Sequence, residues 1–159
     1  MLIVIRSAEP SDVPTIVALI RELAAYEHLE HEVVLDEAAF AAHLFGARPY
    51  AEVLIAESNG APVGFALFFH NFSTFLGRPG IYLEDLYVRP DARGNGLGKE
   101  LLVELARLAG TRGCGRIEWA VLDWNEPSIA FYRSLGALPK EEWLLYRLTG
   151  DAMVALAGA

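Results

Sequence analysis

The sequence predicts an α/β domain, a twisted, mostly antiparallel sheet with one parallel strand pair and flanking helices. Three observations carry this. Two apolar, β-rich runs, Val53 to Ser58 and Val63 to Phe72, flank Asn59-Gly60-Ala61-Pro62, a strong hairpin signal. A third strand-like run, Ile81 to Val88, leads through a glycine-rich loop into an amphipathic helix and then into a fourth, Arg116 to Leu122. A helix between two strands permits a right-handed parallel crossover.

In chain order, Leu2 to Arg6 reads as a first strand and Ala8 to Asp12 as its exit turn. Val13, Ile16, Val17, Ile20, Leu23 and Ala24 recur at helical spacing, with Ser11 as N-cap and Pro14 in the first turn. The acidic connector Tyr26 to Glu32 follows, then a second helix capped by Asp36 and ended by Gly46. After the hairpin, Ser73 to Gly80 carries two glycines and a proline and reads as a loop.

Leu97, Leu101, Leu102, Leu105 and Leu108 line one face of a helix from Gly96 to Thr111. Beyond the Arg116 strand, Asp123 to Ser128 breaks the pattern, and Ile129 to Gly136 reads as a short helix. Trp143 to Leu148 reads as a last strand, and Asp151 as the cap of a terminal helix from Ala152 to Leu156. With 159 residues, no internal repeat and no long linker, residues 1–159 are expected to form a single domain.

Composition narrows the partners. With 13 Lys plus Arg against 21 Asp plus Glu, the formal charge of −8 disfavours a nucleic-acid polyanion and suits a cationic substrate. No run approaches the roughly 18 apolar residues a membrane span needs, so a cytoplasmic protein is expected. Cys114 is alone, which excludes an intramolecular disulfide. Among His28, His31, His43 and His70 only the first two are close in sequence, so no metal is expected.

The richest stretch is the loop after the Ile81 strand. Arg89-Pro90-Asp91-Ala92-Arg93-Gly94-Asn95-Gly96-Leu97-Gly98 can set backbone N–H groups around an anion at a helix N-terminus, with Arg93 adding a charge-assisted bond. A dinucleotide fingerprint from Gly94 would need glycine at Lys99, and a P-loop would need Ser or Thr at Glu100 and Gly at Arg93, so both fail. What stays open is a phosphate cradle or a glycine-bearing turn before an ordinary surface helix.

The Arg-x-x-Gly-x-Gly pattern of Arg93, Gly96 and Gly98, after Val88-Arg89-Pro90, resembles the acetyl-coenzyme A pyrophosphate loop of the GCN5-related N-acetyltransferases (GNAT). Asn125 through Phe131-Tyr132 to Gly136 is similar to a second segment of that family, and the two lie in the family's order. Ile5-Arg6 with Asp12, Glu22-Leu23-Ala24 with Tyr26-Glu27, and Tyr82-Leu83-Glu84-Asp85 extend the likeness over most of the chain. These look like the diamine (spermidine/spermine) branch and its thialysine N-ε-acetyltransferase relatives, and Val121 to Asn125 looks like the thialysine type.

The resemblance implies the acyl-CoA N-acyltransferase fold with a splayed parallel pair, and acetyl-coenzyme A as co-substrate. Transfer would pass directly to the primary amine of a small molecule in a ternary complex. It places Leu86, Tyr87, Val88, Arg93, Gly94, Asn95, Gly96, Leu97, Gly98, Lys99, Asn125, Ser128 and Tyr132 at the cofactor, and Tyr26, Glu27, Glu84 and Asp85 at the amine. It also implies a homodimer with the C-terminal segment near the partner.

The chemistry has its own requirements. An amine of pKa roughly 10.4 must lose a proton, which at neutral pH costs about 4 kcal/mol. The resemblance assigns that proton to Glu84, through ordered water, and assigns protonation of the departing thiolate to Tyr132. Backbone N–H groups at Leu86 and Val88 match the positions that would steady the developing oxyanion. Alternation puts Glu84 and Asp85 on opposite faces unless a bulge intervenes.

One feature departs from the polyamine-selective pattern: Phe72 to Gly77 holds no acid to bind a distal amine. A thialysine-like amino acid or another small amine therefore fits better than spermine. The alternatives are an acetyltransferase for protein lysine or N-terminal amines, and an acyl-coenzyme A sensor without turnover.

Overall fold

Asn59 and Gly60, at φ 51° and 80°, make the tight hairpin turn their sequence announces. In the computed structural model, which describes residues 1–159, this hairpin lies in a five-stranded sheet of order β1-β2-β3-β4-β5. The strands are β1 (Ile3–Ser7), β2 (Glu52–Ser58), β3 (Ala61–Ser73), β4 (Arg78–Val88) and β5 (Ile117–Trp119). Neighbours are antiparallel except β4 and β5, which are parallel. Two compact units divide the chain, Met1–Ala120 with the whole sheet and Val121–Ala159.

Three helices belong to the first unit: α1 (Val13–Tyr26), α2 (Glu37–Phe45) and α3 (Leu97–Thr111). Ile16, Leu19 and Leu23 of α1 and Leu44 of α2 cluster with Val53, Ile55, Phe65, Leu67 and Tyr87 on one face of the sheet. Alternation sends Ala66 and Phe68 to the other face, where Arg112, at the end of α3, lies over the Phe68 ring. Leu97, Leu101 and Leu105 of α3 are fully buried, each contributing roughly 1.5–3 kcal/mol. Arg6 pins β1 to the α1 entry by forking onto Asp12 at 2.8 and 2.9 Å while its Nε donates to Glu57 at 2.7 Å.

Several element boundaries differ from expectation, for local reasons. Asp12, not Ser11, stands at the N-cap of α1, its carboxylate engaged by Arg6 and by the Glu9 N–H. Asp36 caps α2 as expected, accepting from the Ala39 N–H at 2.8 Å. The predicted loop Ser73 to Gly80 shrinks because Ser73 pairs with Arg78 and extends both strands to the hairpin tip.

The strand expected from Arg116 to Leu122 is only Ile117–Trp119, and its pairing with β4 stops at Leu83 and Trp119. Beyond Leu83, β4 runs on to Val88 with no β5 residue opposite.

In the second unit, α4 (Glu126–Ser134) starts at Asn125, whose side chain accepts from the Ser128 N–H, and α5 (Gly150–Ala157) closes the chain. Thr149, not Asp151, holds the N-cap position of α5. Trp143 to Leu148 forms no strand, and Trp143, Leu144, Leu145 and Tyr146 are each more than 70% exposed: 74%, 77%, 81% and 88%. Its aromatic and apolar residues have the composition of a strand but take no strand conformation.

Candidate active site

The β3–β4 ladder slips at one place. Asp85 pairs with Leu67 but Leu83 pairs with Phe68, so Glu84 is an extra residue, a bulge. Past the bulge, Asp85 and Tyr87 share the face of Leu67 and Phe65 that carries α1, whereas Leu83 lies with Phe68 on the other face. The bulge thus supplies the condition under which Glu84 and Asp85 can address one cleft.

Electrostatics single out Asp85. Burial, reinforced by the negative charges of Glu84 and Glu27, pushes its carboxyl up to about 7. Burial also raises Glu27, the residue at the C-terminal end of α1. Tyr82 is raised in turn, first by burial and then by Glu84 and Glu118. The acids of the α1 end and of β4 therefore act on each other, as a site for a cation should.

Next along the chain, Pro90–Ala92 makes a helical turn and the loop swings through Gly94 and Gly96, at φ 79° and 80°. A side chain would be strained at both positions. Gly96 is the N-cap of the 15-residue α3 and offers no side-chain acceptor, so the first N–H groups of the helix need one from outside. A Cβ at Gly94 or Gly96 would meet nothing within 4 Å, so the loop is open on that side. These features suit a pyrophosphate.

Tyr87 and Leu97 are only 6% and 1% exposed, so each can offer a ligand its backbone but hardly its side chain. Leu86 and Val88 lie on the part of β4 that extends past β5. Gly94, Asn95 and Lys99 are exposed, and the Asn95 amide donates to the Ala92 carbonyl at 3.2 Å. Arg89 ties this end of β4 to α1, its Nη2 2.9 Å from Glu22 and its Nη1 donating to the Pro62 carbonyl at 3.2 Å.

The Arg93 side chain is held at the end of β4 and against α1. Its Nε donates to the Val88 carbonyl at 2.8 Å, and its guanidinium carbon lies 5.1 Å from the Tyr26 ring centroid and 5.7 Å from that of Tyr87. With electron-rich ring faces and a carbonyl at hand, the guanidinium joins the loop to α1.

In Val121–Ala159, Asn125 is buried at the start of α4, Ser128 lies in its first turn, and the Tyr132 carbonyl accepts from Leu135 and Ala137 at 3.1 and 3.2 Å. Sequence reasoning did not find the Arg89–Glu22 ion pair or the side-chain course of Arg93. Both join residues far apart in the chain, and only the strong likeness of Glu22 and Tyr26 to a known motif pointed at that end of α1.

The family model described as acetyltransferase (GNAT) family matches residues 16–137. The thialysine N-epsilon-acetyltransferase of Bos taurus is 41% identical, the alignment covering 98% of this chain and 98% of that protein. An L-ornithine N5-acetyltransferase of Arabidopsis thaliana is 35% identical over 96% of this chain and 86% of its own. Among solved structures, an integron cassette protein from the mobile metagenome of V. cholerae superposes with a TM-score of 0.83 at 27% identity, covering 100% of this chain and 99% of that one.

Proposed function

Because this chain belongs to the acetyltransferase (GNAT) family and is an N-acetyltransferase, we propose that it acetylates a primary amine of a small, zwitterionic or cationic molecule, with a thialysine-like amino acid as first candidate and diamines behind it. The observation that carries this is the acidic end of the site, where Glu84 sits in a bulge and Asp85 feels the charges of both Glu84 and Glu27. Relatives named for thialysine and L-ornithine support the class of acceptor. The β3–β4 hairpin tip adds to it, since Phe75 and Leu76 are exposed there and no acid stands between Phe72 and Gly77 to hold a distant second amine.

Acetyl-coenzyme A, when bound, supplies the thioester carbonyl that the amine attacks. The glycine loop from Gly94 to Gly98 holds the pyrophosphate with backbone N–H groups, and the stretch of β4 beyond Leu83 offers its backbone to the pantetheine arm. Glu84 takes the amine proton through water, and Asp85 and Glu27 hold the ammonium before it is lost. Backbone N–H groups at Leu86 and Val88 steady the charge developing on the carbonyl oxygen.

By family motif, Tyr132 gives its proton to the departing thiolate, and Asn125 and Ser128 bind the cofactor arm. The proposal takes residues 1–159 as one catalytic domain, working in the cytoplasm as a homodimer. No helix is long and apolar enough to cross a membrane.

The test is product formation from acetyl-coenzyme A across thialysine, lysine, ornithine, putrescine, spermidine and short peptides. Thialysine or another free amino acid should give the highest kcat/KM. Preference for peptides would transfer the reading to a protein acetyltransferase, and coenzyme A binding without turnover of any amine would make the chain a sensor.

A further inference from the structure

Arg93 opens the cofactor loop, and its positive charge is the one the sequence would aim at a phosphate. The side chain instead hydrogen-bonds the Val88 carbonyl and lies over Tyr26 and Tyr87. Tyr87 is buried in the α1 face of the sheet and cannot readily shift. Tyr26 is the last residue of α1, where the regular helix ends and His28, at φ 59°, turns the chain away. The half-buried Tyr26 ring packs against the core cluster of the α1 face, and the Arg93 guanidinium carbon lies 5.1 Å from its centroid, adding a charged contact to that packing.

We propose that Arg93 is a positioning residue for the acceptor amine, holding Tyr26 at the mouth of the acidic site, rather than a ligand of the pyrophosphate. This rests on the reading that Tyr26 and Glu27 meet the amine. Its backbone belongs to the cofactor loop while its side chain belongs to the acceptor end, so one residue joins the two halves of the cleft. Ordering of the loop is thereby coupled to the placement of Tyr26 and of Glu27 beside it.

The experiment compares Arg93→Met, Tyr26→Leu and the double variant with the unmodified protein, folding being checked by thermal melting. Calorimetry gives the affinities for coenzyme A and for pantetheine, which lacks the pyrophosphate, and steady-state kinetics gives KM and kcat for the best amine. Each single variant should raise amine KM about tenfold, while coenzyme A affinity changes less than about threefold. Because both remove the same contact, the double variant should be no worse than Tyr26→Leu alone.

Arg93→Lys, which keeps the charge, should recover part of the loss, and Tyr26→Phe, which keeps the ring, most of it. A fall of tenfold or more in coenzyme A affinity, with pantetheine affinity unchanged, would assign Arg93 to the pyrophosphate and overturn the proposal. Additive effects in the double variant would overturn it too. If the unmodified protein acetylates no amine, the acetyl-transfer reading fails on that result alone, and the coenzyme A to pantetheine ratio still decides where Arg93 spends its charge.

Discussion

Asp85 pairs with Leu67 across the β3–β4 ladder, one step out of register with the pairing of Leu83 to Phe68. That slip carries Asp85 to the face of the sheet that α1 covers, where burial and the charges of Glu84 and Glu27 raise its carboxyl to about 7. The bulge and the perturbed acid are one fact: without the extra residue, Asp85 would share a face with Leu83.

A raised carboxyl sets a pH dependence of stability. Its value in the folded state, about 7, lies above the 3.8 of an unperturbed Asp, so the stability it lends is complete below pH 3.8 and is lost as pH rises through 7. The full shift corresponds to about 4 kcal/mol, and water reaching the site reduces this to on the order of 1–3 kcal/mol. Asp85→Asn cannot ionise, so its urea midpoint should fall less than that of the unmodified protein between pH 5 and pH 8. Parallel midpoints across that range would show that Asp85 titrates normally.

Ligand binding should reveal the same proton. An ammonium placed beside Asp85 favours the carboxylate and draws its pKa down. Near pH 6.5 amine binding should therefore release a fraction of a proton, measured as a dependence of the calorimetric heat on the ionisation enthalpy of the buffer. The release should vanish in Asp85→Asn; if it persists unchanged, the proton comes from another group.

How much of this was legible in the sequence depends on whether a feature is local. Asn59-Gly60 and the glycine loop announce themselves because positive φ is written in the residue type. Glu84 and Asp85 stand side by side in the sequence, but which of them is the extra residue is decided by Phe68 and Leu67 on another strand. Trp143 to Leu148 has the composition of a strand yet takes no strand conformation, because composition does not by itself supply the hydrogen-bonding neighbour that a ladder needs. The course of Arg93 is hidden likewise, since Tyr26 is distant in sequence.

Gly96 gives a test of the loop with an internal control. Gly96 and Gly60 both have φ 80°, and a Cβ at either meets nothing within 4 Å, so alanine costs each about 1–2 kcal/mol of backbone strain and no clash. Gly60→Ala should lower stability and leave coenzyme A affinity alone. Gly96→Ala should lower both, with affinity falling about tenfold as the first N–H groups of α3 shift. Equal affinities in the two variants would dissociate the loop from the cofactor.

The exposed run from Trp143 to Leu148 bears on the proposed homodimer. Trp143, Leu145 and Tyr146 at 74%, 81% and 88% exposure would form a large apolar patch on a monomer in water. Sedimentation equilibrium should give a dimer, and Leu145→Glu combined with Tyr146→Glu should shift it toward monomer. A monomeric unmodified protein at tens of micromolar would remove the homodimer.

Asp12 sets the opposite pH limit. Its carboxylate, nearly buried, accepts two hydrogen bonds from Arg6 at 2.8 and 2.9 Å and one from the Glu9 N–H at 2.7 Å, and the Arg6 bonds, chiefly, hold it below the usual carboxylate range. A depressed carboxyl lends stability that is present above its unfolded value and is lost as pH falls through the folded one. Asp12→Asn should therefore cost about 1.5–3 kcal/mol at pH 7, the range for a hydrogen bond to a charged group, since it leaves Glu57 as Arg6's charged partner beside the Ser7 carbonyl. The deficit should shrink as pH falls below 3.8, where the native aspartate protonates as well. Urea unfolding at pH 7 and pH 3 measures both, and an equal deficit at the two values would mean that packing, not charge, is what Asp12 contributes. Asp85 loses stability as pH rises from 3.8 and Asp12 as it falls below 3.8, so the combined contribution of these two carboxyls is greatest at their shared unperturbed value of 3.8, well on the acid side of neutrality.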